Sequence, residues 1–331
     1  MLCGKTKGLA AGLLALALAV SLAVPAMAAG ERRLVPVGHT VGIKLFSRGL
    51  VVSGVPEGES PARDCGLRAG DVILSCGGED VTSTEQFRQL LQEGETSLAV
   101  RRDSRELSLS VEPEKNEEGV YCIGAWVRDS MAGIGTMTYY DPASREFGAL
   151  GHGVTDVDTL VLMPFGDGSI LPASVKAVQR GAVGAAGCLR GEFRLEQDLG
   201  PLRANTAGGI FGTLTGPAPA GEALPVGQPQ PGPAEILSNV EGDAVGRYQV
   251  ELLRVQPGEQ RNLILRVTDP ALLERTGGIV QGMSGSPIVQ NGKLVGAVTH
   301  VLVNDPTKGY GISMENMLKA GEKEVQPPRG L

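Results

Sequence analysis

The chain has 331 residues, a net charge of −7 and 42% hydrophobic residues. That composition argues against a disordered chain, and without a basic stripe it makes nucleic acid a poor partner. The 48 glycines suit short strands and tight turns, and the length suits two domains rather than one core.

The N-terminus, "MLCGKTKGLAAGLLALALAVSLAVPAMAAG", places Lys5 and Lys7 before an apolar run from Leu9 to Val24. Ala26-Met27-Ala28 then offers a small-x-small cleavage site, so residues 1–28 read as a signal peptide or membrane anchor. The run, about 16 residues, is short for a span, and cleavage and retention both stay open. The lysines mark the cytoplasmic side, so the body of the protein is expected to be exported, with membrane contact only through this segment. Downstream, Cys65, Cys76, Cys122 and Cys188 match no zinc or redox spacing, and buried free thiols are expected.

From Val37 to about Glu114, short strand-like runs alternate with turns. Leu50-Val51-Val52 and Val72-Ile73-Leu74 are strand cores, and Ser83 or Thr84 caps a helix carrying Phe87, Leu90 and Leu91 on one face. Within "GLRAGDVILSCGGEDV", the residues Gly66, Leu67, Gly70, Asp71 and Ile73 resemble PDZ domains of bacterial proteases. The resemblance implies a small α+β PDZ domain over 37–114, where a peptide adds as a strand and backbone amides of a loop hold its C-terminus. It points to Val41, Gly42, Ile43 and Lys44 as that loop, with Phe87 and Leu91 completing the groove.

From Gly119 onward, runs such as "GIGTMTYYD", "AEILSNVEG", "NLILRV" and "KLVGAVTHVL" are set apart by Gly, Pro, Asn and Asp. They predict an all-β barrel or sandwich. Thr215 to Glu235, rich in Pro and Gly, reads as a surface loop or strap, and "SMENMLKAGEK" as one short helix.

"QGMSGSPIVQNGKLVGAVTHV" raises the question of chemistry. Ser284 needs a base, and there are only three histidines. His39 precedes the PDZ-like region and His300 lies in an apolar strand, while His152 is flanked by glycines in "FGALGHGVTDVDT". Asp156, Asp158 and Asp269 are candidates for the orienting acid, and spacing alone leaves all three open. "GMSGSP" departs by one glycine from the chymotrypsin-type Gly-x-Ser-Gly-Gly-Pro turn, in which the N–H groups of Gly282 and Ser284 form an oxyanion hole. The order His152, Asp269, Ser284 is the order of that class and selects Asp269. Ser286 is the rival hydroxyl, at the second glycine position. Dispersed histidines and no Cys/His cluster call for no metal or organic cofactor.

"GIGTMTYYDPASREFGALGHGVTDVDT" together with "GGIVQGMSGSPIVQNGKLVGAVTHVLVNDPTKGYGI", downstream of a PDZ domain, resembles the SpoIVB peptidases of endospore-forming bacteria. The resemblance implies a mainly β chain with a chymotrypsin-like double β-barrel serine protease domain over 119–320. It implies His152 as base, Asp269 as its orienter and Ser284 as nucleophile. It also implies a sporulation role in the intermembrane space around the forespore. There such peptidases cleave themselves in trans and a regulatory subunit of an intramembrane protease complex, triggering processing of pro-sigma-K. The self-cut is then expected between Ala29 and Val37, near Arg32 and Arg33. The alternative is a catalytically silent PDZ scaffold of the cell envelope.

Overall fold

The computed structural model describes residues 32–322. The expected signal peptide or anchor over 1–28, and the first part of the expected self-cut segment, lie outside the described residues. Among the described residues no helix is long and apolar enough to cross a membrane.

The chain opens with β1 (Arg33–Pro36) and a long strand, β2 (Thr40–Gly54). Then follow α1 (Pro61–Asp64), β3 (Val72–Cys76), β4 (Glu79–Asp80), α2 (Thr84–Leu90), β5 (Thr96–Arg102), β6 (Arg105–Val111), β7 (Glu114–Lys115) and β8 (Tyr121–Cys122). A second long strand, β9 (Trp126–Tyr140), returns to pair antiparallel with β2 along most of its length. Next come β10 (Glu146–Ala149), β11 (Phe165–Gln179), β12 (Cys188–Phe193), β13 (Gly200–Thr206) and β14 (Gly209–Thr213).

Six of these strands close on themselves: β9 pairs β10, then β14, β13, β11 and β2, and β2 pairs β9 again. Val41, Ile43, Phe147, Ile170 and Ile210 fill this first barrel. Closure leaves no free strand edge along the ring. The strap from Thr215 carries β15 (Leu224–Pro225), which pairs with β1, and delivers the chain to the second barrel. That barrel is β16 (Gly232–Glu241), β17 (Ala244–Val255), β18 (Leu263–Val267), β19 (Pro287–Gln290), β20 (Lys293–Val301) and β21 (Lys308–Ser313). α3 (Pro270–Thr276) sits between β18 and β19, and α4 (Met314–Glu322) packs on strands of both barrels. Phe211, Ile312, Met314 and Met317 are buried in the seam beneath α4. Burying a side chain of this kind contributes roughly 1.5–3 kcal/mol.

The PDZ unit is an insertion, so the first barrel also takes strand residues from before it, outside the expected 119–320. The first half of β2, Thr40 to Phe46, belongs to the barrel, and only Leu50 to Gly54 belongs to the PDZ sheet through Leu50↔Ile73 and Val51↔Val72. The alternation of "VGIKLF" fits a barrel strand as well as a PDZ strand: Val41, Ile43 and Leu45 are buried, Lys44 and Phe46 exposed. β2 and β9 therefore enter and leave the PDZ unit as one continuous ribbon. The PDZ motif has its own physical cause. Asp71, almost fully buried, accepts from Arg68 N at 2.8 Å and from Arg102 Nε at 2.7 Å, tying the helix-to-strand turn to β5. Ser83 caps α2 by accepting from Gln86 N at 3.1 Å. Among the described residues the four cysteines are free, but only Cys76 is buried; Cys65, Cys122 and Cys188 are half-buried.

Candidate active site

The turn carrying Ser284 is wedged between the barrels. Gly282 and Gly285 both take φ 97°, a left-handed backbone that glycine adopts without strain. A Cβ on Gly285 would lie 2.0 Å from the Thr136 carbonyl oxygen, so this glycine is fixed by close approach as well. β9 holds one side of the turn: Thr136 N donates to Ser284 O at 2.9 Å and Thr136 Oγ1 to Gly282 O at 2.8 Å. β20 holds the other, with Gly285 N donating to Val298 O at 2.8 Å. The N–H groups of Gly282 and Ser284 find no acceptor among the described residues. Ser284 Oγ donates to Thr299 O at 2.6 Å. Ser286, fully buried, bonds Ser238 Oγ at 3.0 Å and faces the core of the second barrel. The rival hydroxyl is thereby removed from the surface.

His152 comes from the loop after β10. Leu150 at φ 69° and Gly151 at φ 69° make a tight turn that aims the ring, and a left-handed non-glycine residue costs on the order of 1 kcal/mol. Gly153 is glycine for a different reason, since a Cβ there would meet Leu162 Cδ1 at 2.2 Å and Thr206 O at 2.6 Å. Asn205 fastens the loop by accepting from Val154 N at 2.8 Å and donating to Val154 O and Met163 O, both at 2.9 Å. His152 Nδ1 lies 2.8 Å from Gly153 O. A carbonyl only accepts, so Nδ1 carries the hydrogen and Nε2 keeps its lone pair. Burial and the nearby Arg261 charge push His152 below the ordinary imidazole value, outweighing the Gly153 hydrogen bond.

The structure adds a residue that the sequence hid. The His300 ring sits 4.6 Å from the His152 ring, tilted by 40°. His300 follows Thr299, the residue that receives the Ser284 hydroxyl, so one strand end touches both halves of the site. Burial first, then His152 and Arg261, pull His300 down to about 3, and it is neutral at any ordinary pH.

Among the described residues no carboxylate hydrogen-bonds to either histidine. Asp269 caps α3 instead, accepting from Leu272 N at 3.0 Å and from Gln249 N at 3.3 Å, and makes no hydrogen bond to His152. The physical reason is local: Asp before Pro at a helix start is an N-cap with Pro at the first helical position. Asp156 and Asp158 are also elsewhere, held by Arg128 at 2.7 and 2.6 Å.

The PDZ groove lies between α2 and the first residues of β9. Phe87 and Leu91 line it, opposite Ile123, Gly124, Trp126 and Val127, around a cavity of about 1150 Å³. Gly42, Ile43 and Lys44 do not line it. They are paired on one side to β9 and on the other to β11, and a strand with two partners has no amides to offer a peptide. Tyr121 and Cys122 of β8, with Ile123 and the left-handed Gly124 at φ 71°, also line the cavity.

Two six-stranded barrels presenting a serine turn and a histidine loop at their seam, with a PDZ unit inserted in the first, define a PDZ-containing serine peptidase. The chain belongs to the SpoIVB peptidase family: the family model for SpoIVB peptidase S55 matches residues 119–318, and a PDZ domain model matches 52–102. Curated relatives include serine protease HTRA1 of Xenopus laevis, 32% identical over 72 residues, which are 22% of this chain and 15% of that one. The HTRA1 protein of Xenopus tropicalis is 33% identical over 73 residues, covering 22% and 15%. The chain thus spans only a small part of the length of these relatives. Among solved structures, the active form of the Rv3671c protease of M. tuberculosis has a TM-score of 0.34 at 13% identity, covering 60% of this chain and 78% of that one. The PDZ domain of an SdrC-like protein of Listeria monocytogenes has a TM-score of 0.23 at 20% identity, covering 24% and 87%.

Proposed function

We propose that the chain is a signalling endopeptidase in which Ser284 Oγ attacks a peptide carbonyl and His152 Nε2 takes its proton. The same proton then goes to the leaving amine as the C–N bond breaks, and water hydrolyses the acyl-enzyme by the reverse path. The unpartnered N–H groups of Gly282 and Ser284 receive the oxyanion. One observation carries this reading: the end of β20 binds the Ser284 hydroxyl through Thr299 and lies tilted against the His152 ring through His300. This is a resting arrangement, with the nucleophile on a carbonyl and Gly153 O holding the base in its working tautomer. Asp269 serves as the orienting acid only if it leaves its cap.

The sporulation role rests on the family. An exported, initially anchored chain that cuts itself and a regulatory subunit of an intramembrane protease complex, leading to pro-sigma-K processing, is the role we assign. A peptide lying beside Trp126 to Arg128, its end at Tyr121 to Gly124, is how the PDZ groove takes part. The lack of a carboxylate at His152 favours one other reading, a silent scaffold that works through this groove alone. Intact mass of the full chain and of Ser284→Ala, each incubated alone, separates the two. Time-dependent trimming in the wild type only supports the endopeptidase; two unchanged masses, with no labelling of Ser284 by a serine-directed phosphonate, support the scaffold.

A further inference from the structure

Arg261 stands between β17 and β18 in a left-handed backbone, φ 49°. One Nη2–H donates to His300 Nε2 at 3.2 Å, and the guanidinium lies 6.0 Å from the centre of the Tyr310 ring. The side chain, though exposed, is therefore tied to His300, the neighbour of His152. No carboxylate among the described residues pairs with it. Because Nε2 of His300 accepts from Arg261, its Nδ1 carries the hydrogen, and that buried donor has no acceptor.

The neutral His300 of β20 thus lies against the His152 ring, and the Arg261 cation, which touches His300 and the Tyr310 ring of β21, bears on His152 electrostatically. A base that must become imidazolium during reaction is ordinarily served by an anion. Among the described residues, the charge that bears on it is the Arg261 cation.

We propose that Arg261 is the subsite for an acidic side chain of the substrate, an Asp or Glu, and that this contact sets the cleavage preference. The inference rests on the Ser284–His152 peptidase reading. The free N–H donors of the guanidinium form a fork that matches a carboxylate. A docked carboxylate also cancels the field that opposes protonation of His152, so the right peptide makes the base stronger on arrival. The same electrostatic contact supplies recognition and activation.

The test is a peptide library digested by the full chain and by Arg261→Gln, which keeps an amide donor toward His300 and removes the charge. Products are read by mass spectrometry, with phosphonate labelling of Ser284 measured in the same preparations. Wild type is expected to enrich Asp or Glu at one fixed position by about 10- to 100-fold, the range of one charge-assisted hydrogen bond. In Arg261→Gln that enrichment falls to a few-fold or less. The acid limb of kcat/KM on neutral peptides moves to higher pH, because the cation no longer holds His152 down. A purely structural arginine would lower rates without erasing the preference or moving the limb. Labelled, active protein with no acidic preference, or the same preference in both forms, overturns the subsite alone. A chain that neither labels nor cleaves overturns the peptidase reading and the subsite with it.

Discussion

Arg128 joins the groove strand to the loop that carries His152, and removing it tests whether the two are mechanically one. Its guanidinium spans Asp156 Oδ2 at 2.7 Å and Asp158 Oδ2 at 2.6 Å. The Asp156 side chain is fully buried, whereas Arg128 is 33% and Asp158 53% exposed. Breaking a fully buried pair costs about 3–5 kcal/mol, and an exposed one 0–1. Asp156 retains the N–H and hydroxyl of Thr159, at 2.9 and 2.8 Å, so its charge is not left bare. Arg128→Met is therefore expected to cost about 1–3 kcal/mol at pH 7, between those limits. Burial pushes the Asp156 carboxyl up, but Thr159 and Arg128 outweigh it and hold the group below its ordinary value. A depressed acid contributes stability above its unfolded pKa of about 3.9 and loses it as pH falls through the folded value. Urea denaturation should show the deficit at pH 7 and show it shrinking below about pH 3.9. The loosened loop should also slow phosphonate labelling of Ser284 by about tenfold, as a misplaced base does. Equal stability at pH 7, or an unchanged labelling rate in a destabilised variant, would refute the coupling.

Gly285→Ala should fail to give a labelled, folded protein, because its Cβ would sit 2.0 Å from Thr136 O on a left-handed backbone; normal labelling and thermal stability would contradict this. Asp269→Ala should lower stability by about 1 kcal/mol while Asp269→Asn, also a good cap, should not. With no contact to His152, Asp269→Asn should label within a few-fold of wild type; a loss on the order of 10⁴ in rate would place Asp269 at His152 in the working state. Self-trimming should leave Arg33 or an earlier residue as the new N-terminus, since β1 pairs with β9 and β15 and Leu34 is fully buried. N-terminal sequencing that begins beyond Leu34 would mean that β1 unzips first.

The parts legible in sequence were those with a stereochemical signature. Gly285 and Gly151 are glycines because the backbone is left-handed there, and "GMSGSP" and "GHG" carry that mark. Asp71 is the turn acid of the PDZ motif because it binds Arg102 and the Arg68 amide. What misled were patterns with two physical meanings. The alternation from Val41 to Phe46 serves a barrel strand and a PDZ strand equally, so Gly42, Ile43 and Lys44 went to a groove they do not line. "DPALLE" reads as an exposed acid at a strand end and as an N-cap with Pro behind it; the second meaning is the one realised at Asp269. His300 gave no signal at all, because one histidine in an apolar run looks like core, and only the pairing of β20 with β21 turns it toward His152. Strand partners across a closed barrel are long-range facts that local periodicity does not contain.

The central claim is that Ser284 and His152 are a working pair. The most direct test is the pH profile of phosphonate labelling on the full chain, with Ser284→Ala and His152→Ala beside it. The account predicts label on Ser284 only, a fall of about 10³-fold or more in His152→Ala, and an acid limb below the ordinary imidazole value of about 6.5. Label on Ser286, an unchanged rate in His152→Ala, or an acid limb above that value would contradict it.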